Sequence, residues 1–149
     1  MIHSVAERFF DLDLWLAGAG HFVILIASSQ VPSRLRWKQD LAQLMPFNRK
    51  LLWVQSGFTV LTIMAFGILT LALHSELLSG GRAAMGLACF IAVYWTSRIM
   101  VDMFYFSHED WPQGRQFVVG HFLLTSLFLA LAGSYWSLLI WQVWMRGKG

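Results

Sequence analysis

Four apolar runs, Leu12–Ser29, Leu51–Leu73, Ala83–Phe106 and Phe117–Val143, take up most of the 149 residues. Each comes close to or exceeds the roughly 20 residues that cross about 30 Å of hydrocarbon at 1.5 Å per residue. Backbone N–H and C=O groups cannot be left bare in lipid, so runs of this length must close their hydrogen bonds internally, as helices. The three connections are short and force neighbouring spans to run antiparallel. The expected fold is therefore an all-α, four-transmembrane-helix, up-down-up-down bundle, with spans of about 12–30, 50–74, 83–106 and 117–143 in one membrane domain. Composition agrees: 57% of the residues are hydrophobic and 13% charged, which is too apolar for a soluble domain to cover with a polar surface. Nucleic acid is not an expected partner; the lipid bilayer is.

The segment before the first run carries Glu7, Asp11 and Asp13, and it lacks the basic n-region and small-residue cleavage site of a signal peptide. The first helix is expected to be retained. A single cysteine, Cys89, excludes an internal disulfide, a CxxC redox pair and a thiolate metal cluster.

Basic residues are uneven across the connections. The first connection holds Arg34, Arg36, Lys38, Arg49 and Lys50 and the third adds Arg115, against Arg8, Arg82, Arg146 and Lys148 on the other side. The positive-inside rule then places the loop at 31–50 in the cytoplasm and both termini outside. Within that loop, Pro32 and Pro46 bracket a stretch in which Ser33 can cap a helix and Trp37, Leu41, Leu44 and Met45 share one helical face. This spacing predicts a short amphipathic helix lying at the interface, with Arg34, Arg36 and Lys38 facing anionic lipid headgroups.

Arg98 and Asp102 stand out because they lie inside the third span, where an ionised side chain costs several kcal/mol and is a functional-site hypothesis by default. Ala84, Ala88 and Ala92 form a small-residue stripe on the same span. Helical periodicity puts Asp102 on that stripe and Arg98 within about 40° of it, with Tyr105 one turn on. Both charges are expected on the packed face, away from lipid. The loop-side halves of the other spans contribute His21 in the first, Gln55, Thr59 and Thr62 in the second, and His121 and Thr125 in the fourth, with His108 and Glu109 closing the third. The opposite halves read as Leu, Ile, Ala and Phe. A polar pocket opening toward the cytoplasm follows from this distribution. His74, at the far end of the second span, is read as solvated and without a role.

Three chemistries suit such a pocket. The first is a transition metal or haem site with a redox role. Its ligands would come from His21, Asp102, His108 and His121, with Gln55 beside a cofactor and Tyr105 or Glu109 outside the ligands, because imidazole and carboxylate suit first-row metals and bundle-core sites use inward residues of facing helices. No HxxxH or ExxH pair lies on any one helix, so packing would have to assemble the ligands. The second is an enzyme of a lipophilic substrate such as a quinone, isoprenoid or lipid, in which Arg98 holds an oxygen and Asp102, His121 or Tyr105 handles a proton. The third is an accessory subunit of a larger membrane assembly, or a homo-oligomer, in which Arg98 and Asp102 only neutralise each other.

Overall fold

The computed structural model describes residues 2–106 and 114–147, and it is all helix with connecting turns. In chain order the elements are α1 (Ile2–Ser28), α2 (Val31–Arg34), α3 (Trp37–Asp40), a 3-10 turn (Leu41–Gln43), α4 (Pro46–Ala72), α5 (His74–Ser79), α6 (Arg82–Phe104) and α7 (Arg115–Arg146). Helices α1, α4, α6 and α7 are the four expected spans, each long and apolar enough to cross a membrane. At 23 residues α6 is about 35 Å long, and at 32 residues α7 is about 48 Å, so α7 outruns the hydrocarbon layer.

Local sequence sets the ends. Pro46 opens α4 at a position where a missing N–H costs nothing. Gly80 closes α5 with φ 71°, a left-handed turn that glycine adopts without strain, while its N–H reaches Glu76 O. The short helical segment expected between the first two spans is present. It is two single helical turns, α2 and α3, broken at Arg36, which has φ 50°, rather than one helix. None of its turns buries a residue, and a helix this short is unstable without a face to bury. Ser33 does not cap a helix; its hydroxyl donates to Gln30 O. Trp37 packs edge-on against Trp53 of α4, and Arg34 donates to Gln116 of α7, which ties the segment to the loop end of the bundle.

In the bundle α1 packs against α4 and α7, and α6 packs against α7. Between α4 and α6 the contact is made by large rings, Phe66 meeting Phe90 at 5.7 Å and Tyr94 at 5.0 Å. Buried residues run from Phe10 to Ile24 on α1, Ile63 to Thr70 on α4, Ala84 to Trp95 on α6 and Phe128 to Gln142 on α7, with Leu77 of α5 closing that end. The core therefore fills only the half of the bundle nearer α5. Toward the loop end no described residue of α4 before Ile63, of α6 after Trp95 or of α7 before Phe128 is buried.

Two glycines set the α1–α4 distance. A Cβ on Gly18 would lie 2.5 Å from Leu71 Cδ2, and one on Gly67 would lie 2.8 Å from Phe22 and 3.1 Å from the His21 Cβ. Glycine at these positions lets the backbones approach, as small residues do at helix contacts in membranes. Gly57, in the loop-end half of α4, has nothing within 4 Å of a built Cβ. Gly67→Ala is accordingly expected to destabilise the protein by about 1–3 kcal/mol through overpacking. Gly57→Ala should be neutral or stabilising by up to about 1 kcal/mol. Denaturant unfolding in detergent micelles, followed by circular dichroism, measures both.

Candidate functional site

Continuing the core-facing stripe of each helix past the end of the core locates the polar residues expected from the sequence. At 100° per residue, Gln55 and Thr59 of α4 lie within about 20° of buried Phe66, and Thr62 within about 40°. Asp102 of α6 lies within about 20° of buried Trp95, and Arg98 within about 60°. His121 of α7 lies within about 20° of buried Phe128, and Thr125 within about 20° of buried Ala132. On three helices, then, one stripe is apolar and buried near α5 and turns polar where the burial stops.

The best-defined contacts in this polar half join α6 to α7. Thr125 Oγ1 donates to Asp102 Oδ2 at 2.9 Å, and His121 Nε2 lies 3.5 Å from the same oxygen. His121 Nε2 also lies 3.5 Å from Thr125 Oγ1. The His121 and Asp102 side chains are 33% and 17% exposed, so the pair is open enough to be reached and closed enough to be poorly hydrated. By rise per residue, Asp102 is less than one turn from the end of α6, while His121 and Arg98 are about 9 Å from their nearer helix ends. The cluster thus sits toward the interface rather than at mid-membrane.

Arg98 is not on a packed face. It is exposed, and no ion pair between it and Asp102 is present among the described residues; Asp102 pairs with His121 instead. The alanine stripe does pack, with Ala84, Ala88 and Ala92 all buried, but the tight contact ends one turn later at Trp95. Gln55 and Thr59 are exposed and Tyr105 is 80% exposed, so these three do not converge on Asp102. The Thr59 and Thr62 hydroxyls donate to the carbonyls of Gln55 and Phe58 on their own helix. His108 and Glu109 lie outside the described residues.

His21 is placed apart from this cluster, in the core. It is fully buried, with its ring 5.6 to 6.0 Å from those of Trp95, Phe66 and Tyr135. Its Nδ1 is 2.7 Å from Ala17 O, and Trp95 Nε1–H donates to its Nε2 at 3.1 Å. That pair of contacts requires the neutral ring protonated on Nδ1, with the Nε2 lone pair already engaged. As placed, His21 has no free lone pair for a metal or haem iron. Among the described residues no group of three His, Cys, Asp or Glu side chains is positioned to hold a metal ion. The donor set expected from the sequence therefore does not fit a metal or haem centre over the part of the chain described.

The α5-side half is less uniformly apolar than the sequence suggests. Thr70 and Tyr135 hydroxyls meet at 2.5 Å, and Ser134 Oγ donates to Asp13 Oδ1 at 2.9 Å. Gln142 Nε2 donates to Leu77 O, and Arg146 donates to Gly80 O, which fastens α7 over the end of α5. His74 is also engaged: it stacks on Trp15 at 4.9 Å, and its Nε2 lies 3.4 Å from Asp11 Oδ1. Sequence reasoning missed these partners because each donor and acceptor is distant in the chain. One signal was available for Trp95, which ends the alanine stripe with the largest side chain on α6.

No protein-family model, no curated protein and no solved structure matches this chain.

The geometry separates a fully buried core histidine from a half-buried one. Trp95→Phe keeps the ring stacked on Phe128 (5.0 Å) but leaves His21 Nε2 without its donor, and should cost about 1–2 kcal/mol of unfolding free energy. His121→Gln, half-buried beyond the end of the core, should cost less than about 0.5 kcal/mol. Paired unfolding curves in one detergent check the order.

Proposed function

We propose that this small four-helix membrane protein receives the polar head of a lipophilic molecule between the loop-end halves of its spans. Quinone, isoprenoid and lipid heads share the required chemistry: an oxygen-rich group on an apolar tail. The observation that carries the reading is the half-buried Asp102–His121–Thr125 cluster, lying where the polar continuation of three core stripes is no longer packed. A tail can lie along the exposed apolar residues of this half, such as Phe58, Leu61, Met100 and Leu123. The head would then meet His121, whose imidazole can donate or accept a hydrogen bond, with the Asp102 carboxylate beside it as an acceptor. Arg98 would offer its planar guanidinium to an anionic or carbonyl oxygen. The depth supports this, because the polar head of a membrane-soluble molecule also sits near the interface.

A second reading, an accessory subunit, is favoured by the exposure of Arg98 within a span, since a charge there needs a carboxylate or headgroup partner. The two readings separate in one preparation. Purified in mild detergent and examined by native mass spectrometry with lipid extraction, the protein is expected to retain one lipophilic molecule near stoichiometrically. Asp102→Asn and Arg98→Gln should lower that occupancy at least tenfold while leaving the unfolding midpoint in place. A preparation that retains a protein subunit and no small molecule, or variants that lose stability without losing occupancy, would contradict the binding role.

A further inference from the structure

The formal net charge of +3 is not spread evenly over the molecule. Arg34, Arg36, Lys38, Arg49, Lys50 and Arg115 belong to the first and third connections and the helix ends beside them, where the sequence sets Asp40, Glu109 and Asp110 against them. At the opposite end Arg8, Arg82, Arg146 and Lys148 are matched by Glu7, Asp11, Asp13 and Glu76, and within the third span Arg98 is matched by Asp102. The whole excess therefore sits at the loop end.

Packing does not neutralise these cations. Among the described residues no carboxylate lies in ion-pair range of any of the six. Arg34 directs N–H donors to two side-chain amides, Gln116 of α7 and Gln30, which orient the guanidinium without cancelling its charge. Arg49 is half-buried and the other five are exposed.

Depth decides what can cover them. Trp37 meets Trp53 with ring centroids 6.0 Å apart, and Trp53 lies about 10 Å along α4 from Pro46. With 27 residues α4 is about 40 Å long and exceeds the hydrocarbon layer by about 10 Å, so Trp53 falls near the level where tryptophans meet lipid headgroups. The segment α2–α3 is therefore laid against the end of the bundle at headgroup depth. Beside the cations, Leu44, Met45 and Phe47 are exposed, and no residue of α2, α3 or the 3-10 turn is buried. Uncovered cations interspersed with uncovered apolar side chains at this depth match a bilayer surface, which offers phosphates to the first and acyl methylenes to the second.

We propose that α2 and α3, with the first turns of α4 and α7, form a surface that binds acidic phospholipids in preference to zwitterionic ones. The guanidinium and ammonium groups meet the phosphates of several heads at once. An acidic head attracts them more strongly because it carries no ammonium to offset its phosphate. The surface is independent of the proposed function, since it uses none of the residues of the Asp102 cluster.

The test adds phosphatidylglycerol and phosphatidylcholine of identical acyl chains to the full-length protein in detergent and counts bound lipids by native mass spectrometry. The wild-type protein should bind at least about fivefold more phosphatidylglycerol. Arg36→Gln with Lys38→Gln, and separately Arg49→Gln with Lys50→Gln, should each bring that preference to within about twofold of unity. Arg8→Gln with Arg82→Gln removes the same charge from the opposite end and should keep a preference above about threefold. Equal binding of the two lipids by the wild-type protein, or a preference that the opposite-end pair lowers as far as the loop-end pairs do in folded protein, would overturn the assignment.

Discussion

Lipid tails are as apolar as leucine, so helices in a bilayer gain nothing by hiding leucine from their surroundings, and close packing with buried hydrogen bonds has to hold them together. In this chain both requirements meet at His21. Its imidazole accepts from Trp95 of α6 and returns a hydrogen bond to Ala17 on its own helix, while its edges meet Phe66 of α4 and Tyr135 of α7. One side chain therefore touches every span. The close approach of α1 and α4 that allows this depends on Gly18 and Gly67, because a Cβ at either would strike Leu71 or Phe22. Thr70 with Tyr135, Asp13 with Ser134 and Gln142 with Leu77 extend the same half, each worth about 1 kcal/mol in a bilayer.

Fixing one half so firmly frees the other. Past Phe66, Trp95 and Phe128 the stripes turn polar, and among the described residues no comparable set of buried rings or small residues joins the spans there; the Asp102–Thr125 hydrogen bond, with His121 beside it, links α6 to α7. A carboxylate and an imidazole in such a place are costly to a protein that needs only stability. They are useful to one that binds a polar head arriving from the membrane. The rigid half then acts as the frame that keeps α6 and α7 in register.

The architecture was legible in the sequence because lipid imposes it: span length and the absence of unsatisfied backbone leave few alternatives to four helices. The alanine stripe on α6 was likewise readable, and it does pack. What could not be read was where that packing stops. Helical periodicity places Arg98 and Asp102 near the stripe but says nothing of how far along the helix burial extends, and on α6 it ends at Trp95, leaving Arg98 exposed while Asp102 still meets Thr125 of α7. His21 and His121 look alike as isolated intramembrane histidines. Their difference is tertiary, since one meets a tryptophan 74 residues away and the other a carboxylate on the adjacent helix. The short helical segment between the first two spans was legible from its bracketing prolines and amphipathic spacing, whereas its break at Arg36 was not.

The central claim is that the bundle is closely packed around His21 and less so at its polar half, where no described residue of α4 before Ile63, α6 after Trp95 or α7 before Phe128 is buried, and cysteine accessibility tests it most directly. In a Cys89→Ala background reconstituted into bilayers, single cysteines replacing Thr62 and Thr125 should react with a small water-soluble maleimide. Cysteines replacing Thr70 and Ala132, each about two turns nearer α5, should stay unmodified over the same period. Equal protection of all four positions, or reaction at Thr70→Cys and Ala132→Cys, would contradict the account.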